Sequence, residues 1–324
     1  MKFAIAVDMG GTKTLVGLVE DRGLMQNIIR FPTDITRSPQ DHLDRCIQAI
    51  QQCLKETGVN FSNIVGIGIA VPGLADSKKG LLRYAPYSGW RDVPVAQYIK
   101  DAFPDKPVRI ANDVNACAIG ELRFGRGKLY RNFLWVTVST GIGAGLIVNG
   151  ELAEGETGLA GELGHVIVEW NQGRRCGCGH HGCLEAHASG TAIADLIREQ
   201  SSQEGKDSTI SSYFIENKIE ISTENIAKAA REGLPWAIHA FHQAGCQLGR
   251  AFSYYINMLN PGCIIIGGGV GLSLDLMKDS IRETIFSSVI GEENKSVSIM
   301  QTALGYEAGL IGAASLIFTN DTIH

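Results

Sequence analysis

Phe3-Ala4-Ile5-Ala6-Val7-Asp8-Met9-Gly10-Gly11-Thr12-Lys13-Thr14-Leu15-Val16-Gly17-Leu18-Val19 reads as one hairpin: a buried strand over 3–7, a turn over 8–12, and a returning strand over 15–19. The glycines sit at the turn. The arrangement recurs farther along, where residues 133–138 and 145–148 flank Ser139-Thr140-Gly141-Ile142-Gly143-Ala144. The sequence therefore predicts a fold that repeats itself, with the second copy in a second lobe.

Outward from the first hairpin, strands and helices alternate. Ser38-Pro39-Gln40-Asp41 is a helix start, with Ser38 as N-cap, Pro39 at the first position, and Leu43, Ile47, Ile50 and Leu54 as the buried stripe. A strand over 64–71 ends in Pro72-Gly73, a turn at the carboxyl end of a strand, where open α/β sheets bind ligands. A short strand over 108–110 enters Asn112-Asp113, and a helix follows over 114–122. Residues 191–260 read as mostly helical, with a polar loop over 199–209. A strand over 263–266 closes on Gly267-Gly268-Gly269, and 306–314 read as a small-residue helix.

Three glycine turns thus follow strands: Gly10-Gly11-Thr12, Thr140-Gly141-Ile142-Gly143 and Gly267-Gly268-Gly269. Exposed amides in such nests bind phosphates. One such glycine more often serves only to reach positive φ; three in order point to a nucleotide. It is not held by a Walker A loop, because Thr12 precedes Lys13-Thr14, nor by a dinucleotide fingerprint, which no run satisfies.

His165, Cys176, Cys178 and Cys183 form a Cys3His set suited to tetrahedral Zn²⁺, in a glycine-rich segment that lets the chain wrap a metal. Four protein ligands fill the coordination shell, which predicts a structural zinc. His180, His181 and His187 are the alternative ligands and are read as surface or packing residues. Glu162 and Glu185 flank the set, so a metal that orders this segment would also fix two acceptors suited to a polyhydroxy ligand. The 324 residues are 44% hydrophobic and 19% charged with net charge −5, a globular profile without the basic clusters that nucleic acid requires. The apolar run 3–7 is too short for a signal peptide or membrane span, which predicts a cytoplasmic protein with reduced thiols rather than disulfides.

In order, Asp8-x-Gly10-Gly11-Thr12-Lys13, Asn112-Asp113-x-Asn115-Ala116, Thr140-Gly141-x-Gly143-x-Gly145, Glu162-x-x-His165, Cys176-x-Cys178-Gly179-x-x-Gly182-Cys183-x-Glu185 and Gly267-Gly268-Gly269 closely resemble the ROK family of bacterial sugar kinases and sugar-responsive repressors. The resemblance runs from residue 3 to about 316. It implies an α/β actin-like ATPase (ribonuclease H-like) fold with two lobes and a ligand cleft, one lobe of 1–112 plus 304–324, the other of 113–303 with the zinc segment 161–185. It implies ATP, Mg²⁺ and structural Zn²⁺. Asp8 would orient the Mg²⁺ water shell; Gly10, Gly11, Thr12, Lys13, Thr140, Gly141 and Gly143 would hold phosphates; Gly267, Gly268 and Gly269 would approach the adenosine. Gly73, Asn112, Asp113, Glu162, His165 and Glu185 would bind the sugar, with Asp113 as catalytic base. A carboxylate that takes the hydroxyl proton contributes ~10²–10⁴-fold. His165 would put one ring nitrogen on zinc and turn the other toward the sugar.

Gly89-Trp90-Arg91-Asp92-Val93-Pro94 looks most like the family's glucokinases, which makes glucose the implied substrate. Tyr87 stands where many relatives have asparagine, which leaves N-acetylmannosamine, N-acetylglucosamine and fructose open. The repressor class puts a helix-turn-helix before the first phosphate loop, whereas this sequence begins two residues before that strand; the expectation is a kinase that binds sugar and ATP, not nucleic acid or membrane, as a homodimer.

Overall fold

β1 (Phe3–Met9) alternates large and small side chains, and the alternation decides what each face of the first sheet accepts. Phe3, Ile5 and Val7 enter a cluster with Leu43, Ile50, Ile67, Trp90 and Ile99. Ala4 and Ala6 face the other way, toward Leu310, Ala313 and Ala314. Large residues fill the space under ordinary helices, and alanines let one helix come close. The approach is tight enough that a methyl on Gly68 would overlap the Ala313 carbonyl.

The protein is described from a computed structural model that describes residues 1–205 and 208–318. After β1 come β2 (Lys13–Glu20), β3 (Met25–Pro32), α1 (Pro39–Thr57), β4 (Ile64–Val71), β5 (Leu74–Asp76), β6 (Leu81–Ala85), β7 (Trp90–Val93), α2 (Val95–Ala102), β8 (Val108–Asn112) and α3 (Asp113–Phe124). The second half carries β9 (Phe133–Val138), β10 (Ile142–Val148), β11 (Glu151–Leu152), α4 (Glu185–Ala188), α5 (Gly190–Glu204), α6 (Thr209–Asn217), α7 (Thr223–Arg231) and α8 (Pro235–Leu259). It ends with β12 (Cys263–Gly267), α9 (Lys278–Ser288), α10 (Glu292–Lys295), β13 (Ser298–Gln301) and α11 (Ala308–Phe318). Ser38 caps α1 by accepting from the Asp41 amide, as the Ser-Pro start predicts.

The predicted repeat is present. One five-stranded sheet runs β3-β2-β1-β4-β8 and the other β11-β10-β9-β12-β13, the same order with an antiparallel outer part followed by parallel strands.

Two features differ from the sequence reading. A third sheet, β5-β6-β7, was not foreseen. The loop expected over 199–209 is mostly helix: α5 continues to Glu204 and stops at Gly205, whose φ is 88°. Its buried residues, Ala192, Ile193, Ala194 and Ile197, lie in the first half, so the polar remainder is its solvated end. Residues 206 and 207 lie outside the described residues. By its internal contacts the chain forms two compact units. One unit comprises 1–131, 145–160 and the chain from Ala303, and the other 132–144 and 161–302. α3 belongs to the first unit because Gly120 and Gly312 let it lie against α11 almost backbone to backbone.

Candidate active site

In the first unit, the carboxyl ends of β1 and β8 bring two acids to one end of the sheet. Asp8 is the sixth residue of β1. Asp113 is the first residue of α3, capped by Asn112, whose side-chain oxygen accepts from the amides of Val114 (3.0 Å) and Asn115 (3.2 Å). Asn112 Nδ2 donates to the Gly73 carbonyl at 2.9 Å and to Asp113 Oδ1 at 3.0 Å, and Val114 N donates to the same oxygen at 2.9 Å. Gly73, Asn112 and Asp113, predicted separately, are therefore one hydrogen-bonded group. It aims Asp113 by holding a single oxygen.

Burial raises the Asp113 carboxyl to about 6 against the pull of the hydrogen bonds from Val114, its own amide and Asn112. Asp8 is raised to about 7 by burial and then by the charge of Asp113, with Lys13 opposing. A buried carboxyl whose charge raises the pKa of its neighbour, at the end of a sheet, is an arrangement able to take up a proton or a cation. α11 is part of it: Gly309, in its first turn, lies so close to Asp8 that a methyl there would overlap the carboxylate. Burial and then the charges of Asp113 and Asp8 also push the Tyr87 phenol up, and its ring packs 3.4 Å from where a Gly11 side chain would begin.

Gly10 N donates to the Lys13 carbonyl at 2.9 Å, closing the β1–β2 turn. Among the described residues, the amides of Gly11 and Thr12 donate to no protein acceptor, which leaves them available to an anion. Lys13 Nζ meets the Tyr306 hydroxyl, a contact across 293 residues of sequence that the motif did not reveal.

In the second unit, Glu185 Oε2 accepts from Ile142 N at 3.0 Å, and a side chain on Gly141 would overlap that carboxylate. Glu185 therefore ties the cysteine segment to the 140–143 turn. A cavity of about 690 Å³ is lined by Ser139, Thr140, Thr191, Arg198, Arg231 and Gly269 among others. Of the third glycine run only Gly269 lines it. Gly267 ends β12 beneath Trp135, and Gly268 makes the turn at φ 83°. Sequence reasoning missed the wall from α5 and α7, although Ser189-Gly190-Thr191 has the form of a helix cap.

His165, Cys176, Cys178 and Cys183 offer ligand atoms that all lie within 4.8 Å of one another. Cys176 Sγ stands 3.7 Å from His165 Nδ1, and Cys178 Sγ 3.7 Å from Cys183 Sγ. Zn–S bonds of ~2.3 Å put neighbouring ligands of a tetrahedron roughly 3.8 Å apart, so these two separations are those of a tetrahedron's edges. Burial and then the neighbouring thiols push Cys183 up to about 12, while the amide and then the ring of His180 bring Cys178 down to about 6. With Nδ1 on the cysteine side, His165 turns Nε2 outward, 3.9 Å from Glu162 Oε2.

A duplicated sheet of this strand order, with paired acids on one copy and glycine turns on both, defines an actin-like ATPase fold. The ROK family model matches residues 4–320, and the chain belongs to that family. It is 31% identical to a glucokinase of Streptomyces coelicolor over 100% of both chains. A xylose repressor of Bacillus spizizenii is 31% identical over 87% of this chain and 68% of its own. Among solved structures, a ROK family glucokinase from Streptomyces griseus in complex with glucose and AMPPNP superposes with a TM-score of 0.80 at 30% identity, covering 97% of this chain and 98% of that one.

Proposed function

We propose that this protein is an ATP-dependent hexose kinase that phosphorylates glucose on its 6-hydroxyl, with Asp113 as general base. The observation that carries the reading is the Asn112–Asp113–Gly73 group: Oδ1 is held by two donors, leaving Oδ2 to take the hydroxyl proton, and burial raises the carboxyl to about 6, a useful value for a base near neutral pH. In the first unit the Gly11 and Thr12 amides and Lys13 would receive phosphate oxygens. Asp8, raised to about 7 with only Lys13 opposing, suits a hydrated Mg²⁺, which would supply charge neutralisation on the transferring group. In the second unit the cavity beside Thr140 and Gly269 has the size and lining for the nucleoside. Glu162 and His165 would bind sugar hydroxyls, with zinc on His165, Cys176, Cys178 and Cys183 fixing the imidazole.

Self-association is part of the proposal. Exposed Trp170 (78%) and Tyr254 line one groove with Asn257 and Ser288, and exposed Met258 (79%) and Ile290 adjoin it where Asn257 bonds Ser288 and Ile290. An apolar patch of this extent suits a second copy of the chain. Among the described residues, no helix is long and apolar enough to cross a membrane.

The decisive experiment is coupled ADP release over a panel of hexoses and N-acetylhexosamines. Glucose should give the highest kcat/KM. A better rate with an N-acetylhexosamine would reassign the substrate, and no sugar-dependent ADP release would return the chain to the sugar-sensing reading suggested by its repressor relatives.

A further inference from the structure

The carbonyl of Gly10 is held from behind by a chain of three side chains drawn from three separate elements. Thr33 Oγ1, just past β3, donates to it at 2.8 Å. Thr14 Oγ1, on β2 and fully buried, lies 2.9 Å from Thr33 Oγ1, and His42 Nε2, on α1, lies 3.1 Å from Thr14 Oγ1. The Thr33 amide adds a bond to the Thr12 carbonyl at 3.0 Å, so both carbonyls that flank Gly11 are pinned from one side.

The direction of the chain is set by its end. A carbonyl can only accept, so Thr33 spends its one hydroxyl proton on Gly10. Thr33 Oγ1 must then accept from Thr14, and Thr14 must accept from His42. A hydroxyl has one proton to give, and each is now assigned. His42 is therefore a donor at Nε2, the neutral Nε2–H tautomer, with Nδ1 bare. This accounts for an otherwise odd fact, since His42 Nδ1 is buried without a partner. A bare ring nitrogen between the rings of Phe31 and Trp90 costs less than an N–H or a charge in the same place. The depressed His42 basicity, down to about 4 through burial and then Arg45, agrees with it.

We infer that His42, acting through Thr14 and Thr33, is a positioning residue for the nucleotide: the relay fixes the Gly10 carbonyl and so aims the Gly11 amide of the same peptide at a phosphate. None of the three side chains needs to touch the ligand. The consequence for ATP rests on the kinase reading, whereas the tautomer does not.

Two arms test it. In the wild-type protein, nitrogen-15 NMR of the imidazoles should show His42 as the Nε2–H tautomer at neutral pH, still uncharged at pH 5; an Nδ1–H tautomer would overturn the relay. In the second arm, Thr33→Val keeps the shape and removes the donor, Thr33→Ser keeps the donor, and binding of a non-hydrolysable ATP analogue is measured beside steady-state kinetics. The valine variant should weaken analogue binding and raise KM for ATP about tenfold, the scale of one positioned hydrogen bond, with KM for sugar unchanged, and the serine variant should restore both. A folded valine variant with wild-type analogue affinity would overturn the inference. Sugar-independent inactivity of the wild-type chain would remove the kinase reading alone, leaving the tautomer and analogue binding to decide this one.

Discussion

The two five-stranded sheets share one strand order and differ in the residues placed at the ends of equivalent strands. The first strand of one copy ends in Asp8 and its glycine turn, while that of the other, β9, ends in Val138 before Ser139-Thr140-Gly141. The last parallel strand of one copy delivers Asn112 and Asp113, and its counterpart β13 delivers Gln301 and Thr302. At these strand ends the acids are confined to the first copy. The second copy keeps uncharged glycine turns and adds a cysteine-rich segment. A duplicated scaffold thus offers two strand-end settings, and in the proposed kinase reading the first would do the proton and cation chemistry while the second would hold the nucleoside.

The sharpest way to break this division of labour is Asp113→Asn. The amide preserves the shape and cannot accept a proton, so kcat should fall by ~10²–10⁴ with little change in sugar affinity. A variant that retained more than a tenth of wild-type kcat would move the base elsewhere. Stability should shift the other way. A carboxyl raised from 3.8 to about 6 binds its proton more tightly folded than unfolded, so the fold weakens as pH rises between those values and stays at the weaker level above them. The shift is worth on the order of 2–3 kcal/mol, and the asparagine variant should melt a few degrees higher at pH 7 in the absence of ligands.

Zinc removal probes the other copy. Cys183→Ser should release the metal, lower the melting temperature and weaken sugar binding together, because structural zinc carries folding free energy. Hydrogen exchange should rise over 161–190 and stay unchanged over 1–131. Wild-type protein purified without chelators should hold about one zinc per chain by the Cys3His set. Full activity with no bound zinc would end the structural-zinc reading.

The pH profile is a gentler test. Because the base acts deprotonated, kcat/KM should be flat above about 6 and fall up to tenfold per pH unit below it. A profile flat to pH 4.5 would separate Asp113 from the proton transfer. The smallest expected effect is also local. Gly309→Ala should displace Asp8 and lower activity at a stability cost of about 1–3 kcal/mol, whereas Gly177→Ala, with nothing within 4 Å, should leave both unchanged.

Much of this contrast was written in short stretches of sequence. Apolar runs ending in glycine or Asn-Asp announced β1, β4, β8, β9 and β12 and the turns that follow them, because strand burial and turn chemistry are local. The cysteine spacing announced the metal set for the same reason. The features that could not be read were non-local. β5 to β7 carry Asp76 and Arg83 and lack an apolar run. The Lys13–Tyr306 contact spans 293 residues, and His42 reaches Gly10 only through residues on two other elements. The close approach of Gly120 and Gly312 likewise joins helices from distant parts of the chain.

That pairing also sets an order of events during synthesis. The small-residue face of β1 and the helix α3 are both completed by α11, which is translated only after all of 161–302. The intervening unit has nearly all of its own chain before then and can finish first. Until α11 emerges, the alanine face of the first sheet stays uncovered, an open apolar surface that a nascent chain must keep from other chains. Asp8 therefore acquires its final setting late, when the Gly309 turn closes over it.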